Sequence, residues 1–441
     1  MGTEFERDHF YALAAHLQTV LRPAEVLTLL LQGESSEFIR LNQNRVRQAG
    51  RVRQMDLSVD LIQGQRHARA TLDLSGNPEG DRAELDHTLD MLRAQLPHLP
   101  EDPFLHYAAQ PHDTQQIRAG ALPPAREVLE LLGAAGPDLD LVGLWASGAQ
   151  YVGFANSLGQ RNWHAQPSFN LDWSVHLSPA LAAKAHYAGS RWDAAMLEAR
   201  MADLRHRLDA LRRPVRRLER GHYRVYLAPA ALNEILSLLG WGGFGLKSHR
   251  TRQTPLIKMI ESGQTLDPRV TLVENHAGGL TPAFTAEGFI KPQRIVLIES
   301  GRYRDCLVSA RSAREYHVPV NADAEAPESL ELSGGDITDI PGTLDEGLYI
   351  SNLWYCNYSD RNDCRLTGMT RYACFEVRRG QIQAPFESMR FDESLYRMLG
   401  ARLVGLSTER ELLIDADTYR RRSYASARLP GALVEDFALT L

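Results

Sequence analysis

The sequence predicts an α+β protein of two domains, an N-terminal antiparallel sheet with helices and a β-rich C-terminal domain. Three observations carry this. At 441 residues the chain is longer than one ordinary core serves. Met55, Leu57, Val59 and Leu61 alternate with polar neighbours, the pattern of a strand buried on one face. In the second half, short apolar runs recur between turn residues such as Glu299-Ser300-Gly301 and Arg378-Arg379-Gly380, at hairpin spacing. The boundary is placed near 214–222, giving domains 1–213 and 222–441.

In chain order, residues 4–21 read as an amphipathic helix with Phe10, Leu13, Ala14 and Leu17 at helical spacing, closed by Pro23. Strands are expected at 25–31, 37–47, 54–62 and 67–74, with hairpin turns at Glu34-Ser35-Ser36 and Gly64-Gln65. This is a meander, not a parallel nucleotide-binding sheet. A helix over 81–96 follows, then an irregular excursion over 97–124 and a short helix over 125–132 ended by Gly133. Strands return over 140–175. Residues 190–213 form the clearest long helix, where Leu197, Met201, Leu204, Leu208 and Leu211 step by four and three. Beyond the boundary, a strand over 223–227 runs into Pro229, which opens a helix because its missing N–H lies among first-turn donors that are unpaired anyway. That helix carries Leu232, Ile235, Leu236, Leu238 and Leu239 and ends in a glycine-rich loop. Further strands are expected at 270–274, 294–299, 306–308, 347–353, 372–378 and 381–385, with helices over 309–316 and 394–399.

Composition narrows the function. The net charge of −6, from 55 acidic and 49 basic residues, does not mark a nucleic-acid binder. The basic cluster at Arg205, Arg207, Arg212, Arg213, Arg216, Arg217 and Arg220 is interspersed with acids and lacks alternating aromatics, so it reads as a solvated helix end. No run reaches the roughly 18 apolar residues of a membrane span, and the first residues are acidic where a signal peptide needs positive charge. No membrane partner and a cytoplasmic location are therefore expected. Cys306, Cys356, Cys364 and Cys374 lack the paired spacing of structural zinc and read as reduced thiols.

Reactive signatures are missing. No H-E-x-x-H or H-E-x-x-x-H occurs, although a zincin needs two imidazoles on one helix face. The loop from Gly240 to Ser248 resembles a phosphate loop but follows a helix instead of opening one, so its N–H groups are not arrayed toward an anion. There is no G-x-S-x-G elbow. His276, in a polar turn, could act as a base, although a solvated loop histidine is the commoner reading of such a position.

Several stretches together resemble the TldD/PmbA peptidase family, in its PmbA (TldE) branch. They are YVGFANSLG at 151–159, Glu274-Asn275 followed by Ala286-Glu287-Gly288, RIVLIESGR at 294–302, DEGLYISN at 345–352 and FEVRRGQI at 375–382. The resemblance implies a scaffold whose TldD branch holds zinc on H-E-x-x-x-H in the place of residues 229–243, completed by a cysteine near the C-terminus. This helix has no histidine and no cysteine follows Cys374. No catalytic or metal residue is therefore carried over, and no cofactor is expected in this chain. The resemblance implies a non-catalytic subunit of a heterodimeric zinc metallopeptidase, with zinc in a TldD-like partner and extended, unfolded peptides as substrate. Hydrolysis is expected only with that partner. Gly242, Gly243, Phe244, Gly245, Glu274, Asn275 and His276 are the expected peptide-channel residues. The chain departs from the branch where Trp354-Tyr355-Cys356 and residues 360–364 replace a glycine-rich segment. The alternatives are a homodimeric peptide-binding or structural protein that has lost peptidase work, and a hydrolase using the cysteines and histidines of the second half.

Overall fold

A computed structural model describes residues 3–135 and 139–440. The first sheet has seven strands: β1 (Val26–Asn42), β2 (Arg45–Gln63), β3 (Arg66–Asp73), β4 (Asp113–Ile117), β5 (Asp140–Asn156), β6 (Arg161–Ser178) and β7 (Leu181–Gly189). Their order is β3-β2-β1-β5-β6-β4, with β7 also on β6. All pairings are antiparallel except β4 with β6. Helices α1 (Glu4–Thr19) and α2 (Pro78–Gln95) cover one region of it. Their Phe10, Leu13, Leu17, Leu85, Leu89 and Leu92 meet Leu29, Leu31, Leu57, Val59 and Leu61. Helices α3 (Ala125–Ala135) and α4 (Ala194–Leu211) pack on Trp145, Phe169, Leu171 and Trp173.

The second sheet uses β8 (Gly221–Leu227), β9 (Leu272–Glu274), β10 (Ile295–Glu299), β11 (Arg302–Tyr303), β12 (Ser329–Leu332), β13 (Gly347–Ile350), β14 (Asn352–Asp360), β15 (Arg365–Arg371), β16 (Phe375–Arg378), β17 (Gln381–Pro385), β18 (Arg390–Ser394), β19 (Leu403–Ile414) and β20 (Ser426–Leu439). Its main path is β11-β10-β9-β12-β20-β8-β13-β16-β17. Strand β8 lies between β20 and β13 and delivers the chain into α5 (Pro229–Ser237), with Pro229 in the first turn as expected. Ala231, Leu232, Ile235 and Leu236 of α5 are buried in the second core.

The two-domain α+β class stands, and so does the turn at Gly64-Gln65. Other elements differ from the sequence reading. Glu34-Ser35-Ser36 is not a turn: β1 runs straight through it, pairing Glu34 with Gln54 and Ser36 with Val52. The polar side chains are satisfied internally. Glu34 accepts from Ser36 Oγ and from Gln54 Nε2, each at 2.8 Å. The hairpin turns instead at Gln43 and Asn44, both at positive φ, the conformation a two-residue hairpin loop requires. Helix α3 continues past Gly133, and the 97–124 excursion contains β4. Residues 306–308 are not a strand; Leu307 makes one bridge, to Gly245.

Three of the seven arginines of the basic cluster are tied to the fold, while Arg205, Arg212, Arg217 and Arg220 are exposed. Arg207 pairs with Asp203 and Arg216 with Glu376, while Arg213 donates to the carbonyls of Ile382 and Gln383. No helix among the described residues is long and apolar enough to cross a membrane.

Candidate functional site

The exposed face of α5 forms the floor of a cleft of about 540 Å³ lying between the two sheets. The burial pattern makes this face. The leucines and Ile235 turn into the core, which leaves Asn233, Glu234 and Ser237 toward the cavity. One wall comes from the first domain. Strand alternation on β6 and β7 presents Asn170 with Asp172 and Lys184 with His186, and α4 adds Arg200, Asp203 and Arg207. The other wall is Tyr349, Ser351 and Asn352, with Glu411 and Asp415 at the end of β19.

Most of these charges are paired. Lys184 Nζ lies 3.0 Å from Asp172 Oδ2. Glu411 sits between Arg200 at 3.6 Å and His186 Nε2 at 3.5 Å. Arg207 pairs with Asp203 and lies over the ring of Tyr349. Burial pushes the His186 imidazole down against the pull of Glu411, so the neutral ring is favoured. Glu234 differs from the others. Among the described residues its carboxylate has no hydrogen-bond or ion-pair partner, and crowding by the cleft walls pushes it up, opposed by Lys184. The floor offers an amide, a carboxylate and a hydroxyl, but neither imidazole nor thiol.

None of the seven sequence-expected channel residues lines this cleft; of that loop only Gly240 does. Phe244 is fully buried in the second core. Gly242 stands at φ +82°, and a Cβ there would meet Ser248 Oγ. The Gly243 carbonyl accepts from His249 Nε2 and Thr254 Oγ1, both at 2.9 Å. Gly245 packs against Glu325 and bridges Leu307. Asn275 caps its own turn by accepting from the Gly278 N–H. The structure does bring Glu274 and His276 together, buried and joined by Glu328, in a separate cluster. The four cysteines are unpaired, with Cys306, Cys364 and Cys374 buried. Sequence reasoning missed Lys184, His186, Arg200 and Glu411. For Lys184 and His186 the available signal was polar residues at alternate positions of a strand; Arg200, on α4, had no such signal.

Comparison with known proteins agrees with this architecture. A model of the PmbA/TldA metallopeptidase C-terminal domain matches residues 220–441. No curated protein matches the chain by sequence. Among solved structures, TldE from Thermococcus kodakarensis superposes with a TM-score of 0.76 at 13% identity, covering 98% of this chain and all (100%) of that one. A candidate modulator of DNA gyrase from Bacteroides thetaiotaomicron gives 0.75 at 14% identity, with 100% of both chains covered. Another from Thermotoga maritima gives 0.73 at 14% identity, covering 99% of each. These likenesses establish a shared fold over the whole length. With the family match across half of the chain, they place this protein in the PmbA/TldD metallopeptidase family.

Proposed function

We propose that this chain is a non-catalytic, TldE-like subunit whose cleft forms one side of a peptide chamber, the other side being a zinc-bearing TldD-like partner. The supporting observation is the make-up of the α5 face. It floors the cleft between the two sheets, in the segment where the TldD branch carries its zinc motif. Asn233, Glu234 and Ser237 supply no nitrogen or sulfur ligand, and His186 on the opposite wall is a single imidazole where a zincin needs two from one helix face. This donor set does not fit a catalytic zinc, so no hydrolytic step is assigned to these residues. What the cleft can do is bind. An extended peptide needs spaced polar groups along its path, and Asn233, Ser237 and Asn352 line this groove.

The test compares the purified chain alone with the chain co-expressed with a TldD-like protein. Cleavage of an unstructured peptide is expected only from the pair, and a partner variant lacking its zinc histidines should abolish it. Peptide cleavage by the lone chain supplied with zinc would refute the proposal. A stable homodimer that binds peptide and ignores the TldD-like protein would favour the binding-protein alternative.

A further inference from the structure

Away from the cleft, Glu274, His276 and Glu328 each place one ligand atom within 4.8 Å of the others. Glu274 closes β9, His276 follows two residues later, and Glu328 precedes β12, the strand that pairs with β9. The imidazole is almost completely enclosed, its side chain 2% exposed. Its Nδ1 lies 2.7 Å from the Pro292 carbonyl. A carbonyl can only accept, so Nδ1 carries the proton and Nε2 presents a lone pair. Among the described residues that Nε2 has no hydrogen-bond partner, and it faces Glu274 Oε1 at 3.4 Å.

Glu274 Oε1 already accepts two backbone N–H bonds, so the unmet group is the Nε2 lone pair, which faces an acidic oxygen in a dry interior and needs something positive beside it. A proton on Glu274 would draw the atoms to the roughly 2.5–3.0 Å of a hydrogen bond from a carboxyl O–H. The 3.4 Å separation is instead the edge of a coordination tetrahedron with bonds of about 2.1 Å. A proton also serves two atoms, whereas this cluster converges three.

The surroundings resemble the outer shell of a metal centre. The Glu274 carboxylate is fixed by the N–H groups of Glu328 and Ser329, at 3.1 and 2.8 Å to Oε1. The imidazole is fixed by the Pro292 carbonyl. Such contacts orient ligands and set the imidazole tautomer. Lys291 Nζ contacts Glu328 Oε2 at 3.0 Å and offsets one of the two carboxylate charges. With a neutral imidazole, one negative charge is left uncompensated.

We propose that Glu274, His276 and Glu328 bind one divalent transition-metal ion, and that this ion is structural. One imidazole and two carboxylates suit Zn²⁺ or Mn²⁺ better than Mg²⁺, which prefers all-oxygen octahedra. The ion would fasten the 275–294 loop to β12. The same loop reaches the first domain, where Arg118 donates to the Ala277 carbonyl at 2.8 Å and His164 Nε2 lies 2.9 Å from the Leu280 carbonyl. This site lies outside the cleft and differs from the sequence expectation of no metal in this chain.

The experiment strips the full chain with a chelator and titrates it with Zn²⁺, Mn²⁺ and Mg²⁺ by calorimetry, with metal content measured after dialysis. One equivalent of Zn²⁺ or Mn²⁺ is expected, with Mg²⁺ at least tenfold weaker. His276→Ala and Glu274→Gln should each weaken binding tenfold or more. Because either variant can disturb a buried turn, crystals of the unmutated protein soaked in Zn²⁺ should show an anomalous peak between the three residues. No bound ion, unchanged binding in both variants, or an anomalous peak only elsewhere would overturn the proposal. A protonated-carboxyl infrared band in the metal-exposed wild type that Glu274→Gln removes would likewise overturn it, assigning the gap to a proton.

Discussion

Glu287 shows how a single buried carboxyl can set a pH response. Its Oε2 is buried without a hydrogen-bond partner among the described residues. Burial first, and then Asp323, push it up to about 7, with Thr285 and Arg69 pulling weakly the other way. The folded state therefore holds a proton that the unfolded chain releases near its ordinary value of 4.5. Between about 4.5 and 7 the native state binds more protons, so this group makes stability fall as pH rises through that window and contributes no slope outside it. Glu287→Gln mimics the protonated form. In urea titrations the variant should match the wild type near pH 4 and exceed it above pH 7. A difference that does not vary with pH would show that Glu287 contributes packing alone. Nothing in the sequence signalled this. Ala286-Glu287-Gly288 carries no periodic apolar pattern that would announce burial, and only the fold brings Asp323 and the first domain against it.

At the level of elements, legibility followed periodicity. The seam of α4 was visible in the sequence, and Leu197, Met201, Leu204, Leu208 and Leu211 are all buried against the first sheet. Leu204→Ala should lower unfolding stability by about 2–5 kcal/mol, the usual cost of a core leucine truncation, read as a shift of the denaturation midpoint. A cost near zero would mean that α4 is held by its ion pairs instead. Helices α1, α2 and α5 were legible for the same reason. Strand β20 was not, although it pairs with β8, β12, β18 and β19. Pro430 and Gly431 interrupt its apolar run, and proline normally argues against a central strand. The fold accommodates both. Pro430 faces Arg410 beside a register shift in the ladder with β19, and Gly431 leaves room that the Tyr226 hydroxyl fills. The long β1 was misread because Glu34 and Ser36 resemble turn residues until their internal partners are known.

For the whole molecule, the cleft exists only because both domains contribute walls to it, and this explains why its charges could not be assembled from sequence. Asp172, Lys184, Arg200 and Glu411 span some 240 residues of chain and meet only through the packing of β7 against β19 and of α4 against β7. The lining carries three cations, Lys184, Arg200 and Arg207, against five carboxylates, Asp172, Asp203, Glu234, Glu411 and Asp415. With His186 neutral the cavity holds a net charge of −2. The three cations are each paired with a carboxylate, so the surplus falls on Glu234 and Asp415. A peptide threading this groove should therefore be favoured when it carries a lysine or arginine and disfavoured when it carries a glutamate. The preference should be about two- to fivefold at low salt, the size expected of one partly solvated ion pair, and it should shrink as salt screens it. Fluorescence anisotropy with matched unstructured peptides, differing only in a central lysine, norleucine or glutamate, measures it directly. Glu234→Gln should reduce the gap between lysine and norleucine while leaving norleucine binding unchanged, because that variant alters charge and not shape. Equal affinities for all three peptides would mean that main-chain contacts alone govern entry. Tighter binding of the glutamate peptide would mean that Lys184 and Arg200 leave their carboxylates when substrate arrives, and that the cleft selects for anions.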